Sequence, residues 1–142
     1  MISRKDIVAK AREYIGTPYE HQKRIKGIAV DCAGVPVGVA IELGLAIEDY
    51  TSYAREPNPP LMRSYLDRNL TRIVKSDMQP GDVVWIRYTK SPQHLAIVGD
   101  HPDGGLTLIH ADSILLKKVI EHSMDKTWLD RIVAVWRYPG VA

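Results

Sequence analysis

Hydrophobic residues recur at helical spacing in the N-terminal region, and this pattern predicts two amphipathic helices. Ser3 is suited to cap the first helix and Gly16 to end it, and its apolar face is Ile7, Val8, Ala11 and Ile15. Asp31 is suited to cap the second helix and Gly44 to end it, and its apolar face is Val35, Val39, Ala40 and Leu43. The N-terminal region is therefore expected to be mainly helical.

The middle of the chain predicts a loop followed by a third helix. Residues 49–60 are rich in proline and polar side chains, which is typical of a surface loop. Pro59 and Pro60 are suited to start a short helix that we expect from Leu61 to Leu70.

Beyond Gly81 the hydrophobic pattern changes from helical to extended and predicts five strands. The expected strands are 82–88, 94–99, 106–110, 115–120 and 132–138. The turn residues of 100–105 predict a hairpin loop between the second and third of them. Helices first and an antiparallel sheet of about five strands afterwards indicate an α+β fold, and we expect residues 1–142 to form one domain.

The composition narrows the class of protein. The chain has 142 residues, of which 45% are hydrophobic, and this suits a single core. Its 19 basic and 17 acidic residues give a net charge of +2, which does not favour a nucleic-acid binder, and the basic cluster Lys23–Lys26 is expected to be a solvated loop. No apolar run has the length of a signal peptide or a membrane span, so we expect a protein made in the cytoplasm and not embedded in a membrane.

Cys32 is the one cysteine, which excludes an internal disulfide and multi-cysteine zinc sites. At the start of a predicted helix, its sulfur would lie in the field of unpaired backbone N–H groups, which favours the nucleophilic thiolate and can stabilise an oxyanion. The small neighbours Ala33 and Gly34 leave the sulfur accessible. The alternative is a small buried hydrophobic residue, and the position alone slightly favours that alternative.

Two histidines at strand ends change this balance. His94 begins an otherwise apolar strand, where it can meet a helix N-terminus packed on the sheet and act as general base. His110 ends the strand that pairs with it, so it can bond the far ring nitrogen of His94 and fix its tautomer. Each histidine alone is better explained as a half-buried strand residue; the set of three favours a thiol hydrolase. Zinc on Cys32, His94 and His110 has no short ligand spacing to support it, so we expect no metal and no other cofactor.

The remaining histidines and tryptophans predict structural positions. His101 lies in the hairpin loop and His122 in a polar stretch, so both are expected at the surface. Trp85, Trp128 and Trp136 lie in strand-like segments and are expected in the core. Asp82, after Pro80 and Gly81, is expected to close a turn.

Five short motifs occur in a fixed order along the chain. They are Gly16-Thr17-Pro18-Tyr19, Asp31-Cys32-Ala33-Gly34, Gln79-Pro80-Gly81-Asp82-Val83-Val84, His94-Leu95-Ala96-Ile97-Val98-Gly99 and Ile109-His110-Ala111. Together they resemble the NlpC-type cysteine peptidases, papain-like endopeptidases of bacterial cell walls. The resemblance spans nearly the whole chain and implies the papain-like fold of that family.

The resemblance also implies roles for five residues. Cys32 matches the nucleophile of the family, His94 the base and His110 the residue that orients the base. Tyr19 matches a tyrosine that lines the substrate cleft, and Asp31 an acid that helps to hold the amino terminus of the stem peptide. The implied substrate is a peptidoglycan stem peptide, cut between γ-linked D-glutamate and a diamino acid. Ala33 departs from the serine that is common after the nucleophile and removes a hydroxyl from the substrate rim.

In its small size and its lack of a signal peptide, the chain resembles peptidases that accompany phage tails and gene-transfer particles. This resemblance implies a tail-associated hydrolase that opens the cell wall for genome delivery, with tail-tip proteins as partners. Two alternatives stay open: a non-catalytic tail-tip or assembly subunit, and a thiol amidase or acyltransferase on the same fold.

Overall fold

The computed structural model of the chain describes residues 1–49, 58–88 and 90–141. The helices are α1 (Arg4–Arg12), α2 (Gly34–Glu42), α3 (Pro59–Asn69) and α4 (Lys126–Arg131), with a 3₁₀ turn at Lys75–Asp77. The strands are β1 (Arg24–Ile25), β2 (Ala29–Val30), β3 (Thr71–Ile73), β4 (Val83–Arg87), β5 (Pro92–Asp100), β6 (Leu106–Ala111), β7 (Val119–Ser123) and β8 (Ile132–Arg137). The loop predicted over 49–60 falls mostly outside the described residues.

The three predicted helices form close to where the pattern places them. A capping box between Ser3 and Asp6 starts α1, whose residues Ile7, Val8 and Ala11 are buried, whereas Ile15 lies beyond the helix and is 46% exposed. Asn58 caps α3 through the N–H of Leu61. The helix α2 is buried over most of its length, which explains why its sequence is apolar almost all round.

The main sheet has six strands in the order β3-β8-β4-β5-β6-β7, and every pairing within it is antiparallel. Helices followed by this sheet confirm the predicted α+β architecture. Four of the five predicted strands match closely, but the one expected at 115–120 lies at Val119–Ser123, and Leu115 is 84% exposed. The short strands β1, β2 and β3 and the helix α4 were not predicted.

Alternation along the strands divides the core between the two faces of the sheet. Trp85, Leu95 and Ile97 belong to the larger cluster, which also contains the buried residues of α1, α2 and α3. Their neighbours Val84, Ala96 and Val98 belong to a smaller cluster on the other face, against which Trp128 packs. By the same alternation His94 lies on the face of Ala96, with the smaller cluster.

Two buried contacts connect the helices to the sheet. Asp82 accepts from the backbone N–H of Gln79 at 2.8 Å, which confirms its predicted role in a turn. It also pairs with Arg137 at the end of β8 at 2.7 Å and with Arg4 of α1 at 3.5 Å. The hydroxyl of Tyr138, the residue after β8, donates to the carbonyl of Pro36 in α2 at 2.7 Å. Because α2 follows Cys32 directly, this bond helps to fix the cysteine relative to the sheet.

Candidate active site

Cys32 lies on the loop between β2 and α2, and the carboxylate of Asp31 organises this loop. The two oxygens of Asp31 accept from the backbone N–H of Gln22 at 2.9 Å, from that of Gly34 at 2.9 Å and from the guanidinium of Arg24 at 2.7 Å. The helix begins at Gly34 with Ala33 in the cap position, so the prediction that Asp31 is the N-cap was wrong by two residues. Asp31 nevertheless bonds the first N–H of the helix.

The sulfur of Cys32 lies against the backbone at the start of β5. It contacts the residue before His94 and the residue after it. Sγ is 3.8 Å from the carbonyl oxygen of Gln93, and the N–H of Leu95 bonds the sulfur from the other side. Cys32 itself is half-buried. The nucleophile and base predicted from the sequence are therefore brought to one place, where α2 begins and β5 begins.

Burial raises the pKa of the Cys32 thiol to about 12, and the negative charge of Asp31 adds to this effect. The N–H groups of Leu95 and Ala33 lower it by less. The N–H of Ala33 at the helix start thus favours the thiolate, as expected, but burial outweighs it in setting the pKa of Cys32. Cys32 carries its proton at neutral pH, and a base must remove that proton before the sulfur can attack.

His94 and His110 are hydrogen-bonded to each other inside the sheet. Nε2 of His94 lies 2.7 Å from Nδ1 of His110, and the two side chains are on β5 and β6, which are paired. The residues are 3% and 1% exposed. The sequence placed these two side chains in contact, and the structure has this contact. It occupies Nε2 of His94, so Nδ1 is the ring nitrogen that remains for a reaction.

Burial also keeps both rings neutral. It lowers the pKa of His94 well below the usual value, with His110 and His122 adding to the effect. It lowers the pKa of His110 to about 4, with His122 adding to the effect and Asp112 opposing it. A neutral His94 is able to accept a proton, as a general base must.

His122 was predicted at the surface, but it contacts the candidate site. Its Nε2 lies 2.8 Å from Nε2 of His110, and its Nδ1 lies 2.9 Å from the carbonyl oxygen of Ser123. Trp128, on α4 rather than a strand, covers this contact with ring centroids 5.5 Å from His110 and 4.7 Å from His122. The predicted strand at 115–120 ends before His122, so its face could not be read from the pattern. His101, by contrast, is exposed as expected.

Two tyrosines border the site. Tyr19 is half-buried against the larger core cluster, and its backbone N–H donates to the carbonyl of Lys117 at 2.8 Å, which fixes it beside β2. Tyr88 was not predicted; its ring centroid is 5.1 Å from that of His94. Within the described part of the chain, the buried hydroxyl of Tyr88 has no hydrogen-bond partner. The ring of Tyr88 packs on the ring of His94.

The basic cluster differs from the solvated loop that was predicted. Arg24 pairs with Asp31 at 2.7 Å and with Asp49 at 3.0 Å, and Lys26 pairs with Glu13 and with Glu42 at 2.7 Å. Lys26 thereby holds the loop before Cys32 to the C-terminal ends of α1 and α2, and Arg24 holds it to Asp31 and Asp49. They are not arranged as a stripe for an anionic partner.

Neither a metal site nor a membrane helix is found in the part of the chain that the structure describes. No group of three histidine, cysteine or acidic side chains there is arranged to hold a metal ion. The nitrogens of the three histidines are 2.7 and 2.8 Å apart, whereas two nitrogens on one tetrahedral zinc would be roughly 3.3 Å apart. No helix among those residues is both long and apolar enough to cross a bilayer.

Solved structures share this fold. An NlpC/P60 family protein from Bacillus cereus superposes with a TM-score of 0.71 at 17% identity, covering 96% of this chain and 40% of its own. A lipoprotein-like NLP/P60 family protein from Staphylococcus aureus has a TM-score of 0.66 at 17% identity and covers 95% and 41%. This chain thus spans about two fifths of the length of these two proteins. The NlpC/p60 domain of the peptidoglycan hydrolase SagA matches with a TM-score of 0.66 at 24% identity, covering 95% and 98%.

At the level of sequence, no curated protein matches the chain. The sequence model of the NlpC/P60 family matches residues 16–137, which include Tyr19, Asp31, Cys32, His94, His110 and His122. This range covers most of the chain and all the residues of the candidate site, and the chain belongs to the NlpC/P60 family.

Proposed function

We propose that this protein is a cysteine endopeptidase that hydrolyses peptidoglycan stem peptides. Cys32 is the nucleophile, His94 the general base and His110 the residue that orients the base. The observation that carries the proposal is that the Cys32 sulfur lies against the backbone of Gln93 and Leu95, the two neighbours of His94 in the sequence. Nε2 of His94 is already bonded to His110 at 2.7 Å. A thiol, a neutral imidazole and an orienting group in this order are what thiol hydrolysis requires.

In the proposed reaction, Nδ1 of His94 takes the proton of the Cys32 thiol while the sulfur attacks the carbonyl carbon of the scissile amide. Backbone N–H groups at the start of α2 stabilise the oxyanion that forms. Collapse of the intermediate breaks the C–N bond, and His94 returns the proton to the leaving amine. Water, deprotonated by His94, then attacks the thioester carbonyl; the C–S bond breaks, the acid is released, and His94 returns the proton to the sulfur of Cys32. Membership of the NlpC/P60 family, and the likeness to the NlpC/p60 domain of the peptidoglycan hydrolase SagA, support this substrate class.

We further propose that the bond cut is between γ-linked D-glutamate and a diamino acid, and that Tyr19 and Asp31 contact the peptide. Asp31 is 1% exposed, and Arg24 already occupies one of its oxygens. A substrate amine would therefore bind as a further partner of the Asp31–Arg24 pair and not at an isolated carboxylate. Ala33, in place of serine, makes this edge of the cleft less polar.

The setting we propose is a phage-type tail or gene-transfer particle, in which the protein is carried to the cell wall and opens it. This setting rests on the resemblance to tail-associated peptidases described for the sequence, and not on the residues of the candidate site. Mass spectrometry of purified particles checks this setting separately from the chemistry: the protein is expected in the tail fraction, and its absence from particles would contradict the setting only.

The activity is tested by incubating the protein with purified peptidoglycan and identifying the released stem peptides by mass spectrometry. Fragments ending in D-glutamate are expected from the wild type and none from Cys32→Ala, which removes one sulfur and should leave thermal unfolding unchanged. If the wild type releases nothing, alone or in the assembled particle, the protein is a non-catalytic subunit. If the acyl group passes to an added amine in preference to water, it is an acyltransferase.

A further inference from the structure

Three histidine rings form one continuous hydrogen-bonded chain. It runs from His94 to His110 at 2.7 Å, from His110 to His122 at 2.8 Å, and from His122 to the carbonyl of Ser123 at 2.9 Å. Successive rings are nearly perpendicular, at 82° and 86°. The proposed catalysis uses the first contact only, so the role of His122 is left open by it.

The direction of the hydrogen bonds along the three rings is set by the last bond, from His122 to the carbonyl of Ser123. A carbonyl oxygen only accepts, so Nδ1 of His122 must carry a hydrogen, and in the neutral ring Nε2 then has a lone pair. His110 must therefore donate through Nε2 and accept through Nδ1. His94 must in turn donate through Nε2, which leaves the lone pair on Nδ1. In the opposite direction a nitrogen lone pair would face the carbonyl oxygen of Ser123.

We propose that His122 is a positioning residue for the general base: it sets the tautomer of His94 and is where the proton taken from Cys32 comes to rest. This inference rests on the function proposed above. When Nδ1 of His94 gains the thiol proton, its Nε2 hydrogen passes to Nδ1 of His110. The Nε2 hydrogen of His110 then passes to Nε2 of His122. One thiolate and one imidazolium result, and the same transfers run in reverse when the leaving amine is protonated.

The surroundings of the three rings favour the positive charge at His122. His94 and His110 are buried, and their pKa values are lowered by burial. His122 is half-buried and lines an open surface cleft of about 550 Å³, where water can solvate a cation. The ring of Trp128 lies 4.7 Å from that of His122, near enough for a cation–π contact.

The charged groups near His122 largely balance one another. In the cleft Arg12 of α1 pairs with Glu121 at 2.9 Å and with Asp100 at 3.2 Å, and His101 lines the same cleft. Arg131 of α4 lies over the ring of Trp128 at 5.3 Å and opposes a charge on His122. Asp112, beside His110, acts in the other direction. The access of His122 to water, and not a single counter-ion, therefore decides where the proton rests.

Nitrogen-15 NMR of histidine-labelled protein tests the proposal without any substrate. At neutral pH, His94 is expected as the Nε2–H tautomer. On acidification, the first proton taken up by the chain should give the imidazolium signature at His122 while His94 changes to the neutral Nδ1–H tautomer. An Nδ1–H tautomer of His94 at neutral pH, or an imidazolium that appears first at His94, would overturn the proposal.

Two variants separate tautomer setting from proton uptake. His122→Gln keeps an oxygen that can accept from His110 but cannot take a proton, whereas His122→Ala does neither. We expect His122→Ala to mix the tautomers of His94 and to lower kcat roughly tenfold to hundredfold with KM little changed. His122→Gln should keep the tautomer but not regain full kcat. His101→Ala, an exposed histidine of the hairpin, is the matched control.

The outcomes distinguish this inference from the proposed function. If the protein cleaves no peptidoglycan but shows the expected tautomers, the proposed role of His122 stands and the proposed peptidase activity is wrong. If the protein cleaves peptidoglycan, and both His122→Ala and His122→Gln keep the wild-type kcat and the wild-type tautomer of His94, the peptidase activity stands and the proposed role of His122 is wrong. Since His122→Gln preserves the polar contact, it remains informative even where His122→Ala fails to fold.

Discussion

Cys32 lies on a loop held by one buried carboxylate, whereas His94 lies in a sheet and is held by a chain of ring-to-ring bonds. On the cysteine side, Asp31 connects Gln22, Arg24 and Gly34, and losing it would release the whole loop. On the histidine side, each ring is fixed first by strand pairing and then by its neighbour. The base is thus held by strand pairing and by a neighbouring ring, and the nucleophile by a loop whose main anchor is the Asp31 carboxylate.

The same difference appears in the pKa values. The charge of Asp31 adds to burial in raising the pKa of Cys32, so the residue that holds the loop also keeps the thiol protonated. Burial lowers the pKa values of His94 and His110 and keeps them ready to accept a proton. The resting site therefore holds a thiol and a neutral imidazole instead of an ion pair.

The largest expected effect is the loss of the base itself. His94→Ala should reduce kcat for stem-peptide cleavage by on the order of a thousandfold or more, because it removes the ring that first takes the thiol proton. The measurement is the rate of product formation by mass spectrometry, with thermal unfolding to verify the fold.

His101→Ala should retain the wild-type rate; an active His94→Ala would show that the base is another residue.

On the cysteine side, Asp31→Asn should destabilise the protein by about 3 kcal/mol, since it leaves the largely buried guanidinium of Arg24 without its closest partner. Urea unfolding measures this loss. The matched control is Asp49→Asn, which removes the more exposed partner of the same guanidinium and should cost about 1 kcal/mol or less. Equal effects of the two substitutions would show that Asp31 does not organise the loop.

On the histidine side, stability should fall as the pH is lowered. The folded-state pKa of His110, about 4, is below the unfolded value near 6.5, so the unfolded chain takes up protons first. The stability is complete above about pH 6.5 and is lost as the pH falls toward 4, by on the order of 2 kcal/mol down to pH 5. His110→Asn should flatten this dependence in urea unfolding, and an unchanged slope would contradict the neutral buried ring.

The smallest expected effect concerns the resting thiol. With its pKa raised to about 12, Cys32 should react with iodoacetamide more slowly than a free cysteine at pH 7, and its rate should still rise above pH 9. Asp31→Asn should raise the rate at each pH, because the charge that opposes the thiolate is gone. Intact-mass spectrometry gives the rates; a plateau reached below pH 8 would indicate a thiolate already formed at neutral pH.

Much of the fold followed from the sequence because local signals agreed with the tertiary structure. Ser3, the pair Pro59 and Pro60, and the β-branched and aromatic run in 82–88 mark elements that form where the pattern places them. The start of α2 did not, because Asp31 is drawn into contacts with Gln22 and Arg24 that no local pattern shows. The two-residue strands β1 and β2 are too short to alternate.

The candidate site was predictable in part for the same reason. The contact of His94 with His110 depends only on the pairing of two strong strands joined by a clear hairpin loop. The contact of His122 was not predicted, because the apolar Leu115 and Leu116 placed the predicted strand before β7 in the sequence. Both leucines are exposed in the structure. Trp128 was missed because α4 has only six residues and its start rests on the cap Asp125. The protonation state of Cys32 depends on burial, which the sequence does not give.

The most direct test of the central claim is a rapid-quench, intact-mass measurement of the protein during turnover of a soluble stem peptide. We expect a transient acyl adduct that maps to Cys32 and decays as product appears, and no adduct in Cys32→Ala. Cleavage without any adduct on Cys32, or continued cleavage by Cys32→Ala, would contradict it.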